Sequence, residues 1–125
     1  MQLSSRTHEI PSTWDWLNLA YEKGWTDGLP VAPPTEERVR AMVEHTGRKP
    51  DEVLGLVAPQ NGEATIEKIA IQSVMAGCKP EYFPVVLAAL EAMMDPRFNL
   101  YGVETTTHSC EPLTIVCGPI VKELG

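Results

Sequence analysis

Eleven prolines are spread along 125 residues and punctuate the chain. The pyrrolidine ring fixes φ and removes a backbone donor. A proline therefore belongs in the first turn of a helix, at a sheet edge or in a turn. The longest stretch without one is residues 60–79, so only short helices and strands fit between the corners. With 9 glycines added, the two types stay below the roughly 25–30% that marks low complexity. Hydrophobic residues are 43% and charged residues 22%, so the prolines punctuate a chain that folds. The length is that of one ordinary domain with a core of its own.

The charge balance removes two classes of partner. Residues 1–62 carry 6 basic and 9 acidic side chains, residues 63–125 carry 4 and 8, and the net charge is −7. Nucleic acid needs clustered Lys and Arg, and so does an anionic lipid surface; neither cluster is present. The longest apolar stretch, Val85–Leu90, is far short of the ~20 residues of a membrane span. The first residues lack the basic stretch and apolar run of a secretory leader, and three cysteines make an odd number. A cytoplasmic location is expected.

Residues 1–11 read as an N-terminal arm, and residues 12–125 as one α/β domain or the N-terminal part of a larger one. Ser12, Thr35 and Thr65 are N-caps of three helices, which end near Gly24, Gly47 and Gly77. Val39, Met42 and Val43 form the core face of the second helix, and Ile66, Ile69, Ala70 and Val74 that of the third. Pro80 opens a fourth helix to Met94 whose apolar residues cover most of its circumference, which predicts burial on more than one side. Val53–Ala58 fits a short buried strand or a helical turn, and Gln60–Gly62 a turn. Leu100–Thr107 and Leu113–Cys117 read as strands; the second, LTIVC, has the β-branched run of a strand covered on both faces. A last short helix follows Gly118-Pro119. The fold class is α/β or α+β, with helices on a small sheet.

Three places carry chemistry-bearing side chains. Cys78 lies between two helices in Ala76-Gly77-Cys78-Lys79-Pro80-Glu81. A thiol before a helix N-terminus with a lysine beside it is biased toward the nucleophilic thiolate, although a small buried residue after a capping glycine fits the same string. Thr105–Glu111 is a hydroxyl-rich loop with His108 and Cys110 two residues apart. In an extended chain they point to one side, as a base with a nucleophile or as two metal ligands. Trp25–Pro30 is a proline-fixed loop that suits either a binding lip, with Trp25 and Asp27 on it, or a rigid connector. Cys117, inside LTIVC, reads as inert core. No phosphate loop is present.

Three strings, GWTDGLPVAPPTEERV at 24–39, AGCKPEYFPVVLAALEAM at 76–93 and TTTHSCEPLTIVCGPIVKELG at 105–125, resemble a poorly characterised bacterial family. Its genes lie beside, or are fused to, a small domain with a Cys/Sec-Gly-Ser-Cys motif, the UGSC-type (seleno)proteins. The resemblance spans nearly all of the chain beyond the arm and implies an enzyme component that works with a redox-active thiol partner. It places Cys78 in the family's Gly-Cys-Lys/Arg-Pro-Glu string. The family's chains generally run on past GPIVKELG.

The expected function is one subunit of a heteromeric enzyme acting on a small polar substrate by thiol-dependent redox or lyase chemistry. Cys78 is the candidate thiol, Cys110 a second candidate and His108 the proton shuttle. Trp25, Asp27, Lys79 and Thr106 are the candidate substrate-binding residues. One alternative is a metal-dependent or autoprocessed hydrolase or lyase subunit, with the metal on His108, Cys110 and a residue of another chain. Another is a non-catalytic scaffold. The sheet looks incomplete: LTIVC requires neighbours on both edges. A second protein subunit that completes sheet and site is therefore expected, or a longer parent chain.

Overall fold

The computed structural model describes residues 1–125. α1 (Thr13–Glu22) starts at Ser12, whose hydroxyl accepts from the Asp15 amide at 3.2 Å and donates to its carboxylate at 2.6 Å. α2 (Glu36–Thr46) is capped by Thr35 and stopped by Gly47 at φ 65°. After β1 (Val53–Val57) and β2 (Gly62–Thr65), Thr65 caps α3 (Ile66–Met75) by accepting from the Lys68 amide at 3.2 Å. Each such cap contributes about 1 kcal/mol. A single 3₁₀ turn at Pro80–Tyr82 leads into α4 (Phe83–Met94), with Pro84 in its first turn. α5 (Leu100–Thr105) and α6 (Ile120–Leu124) follow.

The core forms where α2, α3 and α4 meet. Val39, Met42 and Val43 pack against Ile66, Ile69, Ala70 and Val74, closed by Phe83 and Leu87. The apolar faces read from the sequence of α2 and α3 are the buried ones. A smaller cluster joins Trp16 and Ala20 of α1 to Met75 at the end of α3. β1 and β2 pair antiparallel, Val57 with Gly62 and Leu56 with Glu63, with an irregularity between Val53 and Gly55. The hairpin lies on α4. A Cβ on Gly55 would come within 2.8 Å of the Met94 sulfur, so the end of that side chain rests against the bare glycine backbone.

The architecture is mixed, six α-helices with one two-stranded antiparallel sheet. Several elements differ from expectation. Val53–Val57 is a strand, but it is not buried throughout: Val53 and Leu56 are exposed. Its partner β2 falls where the sequence reads as a turn and a helix cap. Leu100–Thr105 is helical rather than extended, because Asn99 at φ 57° turns the chain and its side chain accepts from the Gly102 amide at 3.4 Å. Leu113–Cys117 has no regular structure and no covering layer: Leu113 is 83% and Ile115 74% exposed. No strand of the chain lies beside it, and a lone extended segment satisfies neither its backbone nor its side chains. Cys117 is accordingly exposed rather than core. α4 buries one face, Phe83 and Leu87, while Val85, Val86, Leu90, Met93 and Met94 are half-buried.

The arm has no regular structure but is docked. Leu3 packs on the main core and Ile10 on the smaller cluster. No helix is long and apolar enough to cross a membrane.

Candidate functional site

Cys78 follows the α3 C-terminus, where Gly77 at φ 82° reverses the chain. Its amide donates to the Ser73 carbonyl at 2.9 Å, so the turn ties its backbone to the last turn of α3. The side chain is half-buried against the main core. Lys79 is exposed, and its ammonium lies 5.9 Å from the centre of the Tyr82 ring, a cation–π arrangement that holds it over the following 3₁₀ turn. The local sequence dictates this shape: glycine allows the left-handed corner, and Pro80 fits the first position of the turn that follows.

The loop from Trp25 to Pro34 lies near by. Its Val31 carbonyl accepts from the Trp16 indole at 2.8 Å. Its Ala32 amide donates to the Met75 carbonyl at 3.0 Å, three residues before Cys78. The loop therefore bridges α1 and the thiol-bearing end of α3. Within it, the Thr26 hydroxyl donates to the Leu29 carbonyl at 2.7 Å, and Asp27 accepts from the Leu29 amide at 3.3 Å. Asp27 is thus engaged in shaping its own turn. Trp25 is 45% exposed, its ring 6.1 Å from Trp16 and 6.0 Å from His8, so it is neither plugged into the core nor free.

The third group is not assembled with these two. Thr106 ends α5, and its hydroxyl accepts from the His108 amide at 3.2 Å. The Cys110 amide donates to the His108 carbonyl at 2.8 Å, which makes a tight turn rather than the extended strand that would align the two side chains. Both are exposed. Between Thr106 and Gly118 every hydrogen bond is to a residue of the same segment or its immediate neighbours, and no ion pair ties it to the body. No group of three or more His, Cys, Asp or Glu side chains is arranged to hold a metal.

Two surface clefts lie away from all of these residues. One runs between Met1–Ser4 and Arg48–Asp51, the other among Leu56, Met93, Met94, Leu100 and Tyr101. Arg48 forks between Glu52 at 2.6 Å and Glu91 at 3.3 Å. Its hydrogen bond to Glu52 is the main cause that raises the guanidinium pKa and lowers that of the Glu52 carboxyl. This pair fastens the start of β1 to α4.

One residue that the sequence did not single out is the buried carboxylate of Glu67, 2% exposed on the first turn of α3. It accepts from the amides of Ser4 at 2.9 and 3.1 Å and of Ser5 at 2.8 Å, and from the Ser4 hydroxyl at 2.9 Å. Burial is the largest influence and pushes the carboxyl up; the hydrogen bonds from Ser5 and Ser4 together outweigh it and hold the group below the ordinary glutamate range. In sequence it is an acidic residue in a helix first turn, and its partners lie more than sixty residues upstream.

Comparison with protein-family models, with curated proteins and with solved structures gives no match to this chain.

Proposed function

We propose that the chain is one subunit of a heteromeric enzyme that acts on a small polar substrate through thiol-dependent redox or lyase chemistry. Cys78 serves as the thiol, and a second subunit covers Leu113–Cys117. The observation that carries the reading is that apolar segment. Leu113, Ile115 and Val116 are 83%, 74% and 41% exposed, and none of them joins either hydrophobic cluster. An open backbone with β-branched side chains is suited to adding a strand to another sheet. The partner would bring His108 and Cys110 toward the loop and the thiol. Lys79 follows that thiol in the chain, Trp25 belongs to the loop that Ala32 ties to Met75, and Thr106 would arrive with the docked segment.

A scaffold role is the second reading. It is favoured by the place of Cys78, which is half-buried on the core and lines neither of the two clefts described above.

Iodoacetamide labelling at neutral pH, read by mass spectrometry, separates the two. Cys110 and Cys117 are exposed, so steric access favours them. An activated Cys78 labels faster than both despite its burial. Slower labelling of Cys78, together with full activity of a Cys78→Ala complex, overturns the thiol reading. Protection of Cys117 on addition of the partner tests the docking of LTIVC.

A further inference from the structure

We infer that residues 1–10 are a strap, latched to α3 by the Glu67 carboxylate, that closes over the Trp16–Trp25 side of the proline loop and opens when the latch loses its charge. The strap is held near both ends, and Arg40 of α2 also donates to its Met1 carbonyl. At one end Glu67 takes all the donors that Ser4 and the Ser5 amide offer, and Leu3 is set on the core beside it. At the other end Ile10 packs on the Trp16 cluster and the His8 ring meets Trp25 edge-on at 6.0 Å. Between them no helix or strand stiffens the segment.

The latch depends on charge because of what surrounds it. Charged and titratable groups on the strap and on the elements packed against α3 are the Met1 ammonium, Arg6, His8 and Glu9; Glu36, Glu37, Arg38, Arg40, Glu44 and His45 on α2; Arg48, Lys49, Asp51 and Glu52 before β1; Glu63 on β2; Lys68 on α3; and Glu81 and Glu91 on the 3₁₀ turn and α4. Arg40 pairs with Glu36 and donates to the Met1 carbonyl; Arg48 pairs with Glu52 and Glu91; Lys68 donates to the Glu63 carbonyl at 3.0 Å. None forms an ion pair with Glu67. The carboxylate is therefore satisfied by the strap's donors and by no cation. Opening the strap takes from the carboxylate the donors it now has, and neutralising the carboxylate weakens the acceptor that holds the strap. The two events are linked in both directions. The consequence for Trp25 rests on the reading of that loop as a binding lip; the latch itself does not.

Amide hydrogen exchange on the full chain tests the latch, with each rate referred to its free-peptide value. At neutral pH the Ser4 and Ser5 amides are expected to exchange about tenfold or more slowly than in Glu67→Gln, the protection that a hydrogen bond to a charged acceptor supports. If Glu67→Gln does not fold, acid titration of the unmodified chain gives the same answer. Protection at Ser4 and Ser5 is then lost while the Val43 and Ile69 amides stay protected. Ser4 and Ser5 amides that exchange at free-peptide rates, that are indifferent to Glu67→Gln, or that lose protection only together with Val43 and Ile69 overturn the inference. These amides report the strap whatever the reactivity of Cys78 proves to be.

Discussion

Between Thr35 and Leu87 the chain doubles back on itself, and Val39, Met42, Val43, Ile66, Phe83 and Leu87 finish in one another's company. Between Thr106 and Gly118 it carries Leu113, Ile115 and Val116, side chains of the same kind, and they remain open to water. Composition does not distinguish the two regions. The difference is a second layer: α2, α3 and α4 each present an apolar face to the others, whereas the LTIVC segment meets no helix or sheet of its own chain. Burial is a property of pairs of surfaces, and the C-terminal segment has one member of such a pair.

The sharpest way to break this comparison is to truncate a side chain in each region. Phe83→Ala is expected to cost about 3–5 kcal/mol by chemical denaturation, because Phe83 is fully buried and the cavity adds to the lost transfer energy. Gly55→Ala should cost far less, no more than about 1 kcal/mol, since its Cβ meets only the flexible end of the Met94 side chain, which can turn aside. Acid should act in between body and arm. Glu67 is held below the ordinary glutamate range, so its contribution is complete above about pH 4.3 and is lost as pH falls through its depressed value. A denaturation series on Glu67→Gln should lack that part of the acid slope. Smallest of all, Leu113→Ala and Ile115→Ser should change the stability of the isolated chain by no more than about 0.5 kcal/mol. The same two substitutions should weaken association with a partner subunit, measured by calorimetry. A loss of stability in the isolated chain equal to that of a core substitution would show that the segment is packed after all.

The helical half of the fold was legible because its signals are local. Ser12, Thr35 and Thr65 each cap within three residues, and Gly47 and Gly77 end helices through their own backbone angles. Two strands expected from the sequence, Leu100–Thr107 and Leu113–Cys117, do not form, because strand propensity describes a fit to neighbours. LTIVC has the side chains of a central strand and no neighbour. Leu100–Thr105 has similar residues, but the Asn99 cap decides for a helix. β2 carried a usable signal in Asn61, which takes φ 54° as the last residue of the four-residue loop between Val57 and Gly62. Of the candidate site, the sequence located the thiol and the proline loop. Their link through Ala32 and Met75 was beyond it, because a hydrogen bond between residues forty-three apart leaves no spacing pattern.

That link makes the two candidate elements parts of one lever. Trp16 grips the proline loop at Val31, and the next residue, Ala32, grips α3 at Met75, one turn from Cys78. A ligand that displaces the loop would therefore pull on the helix end that carries the sulfur.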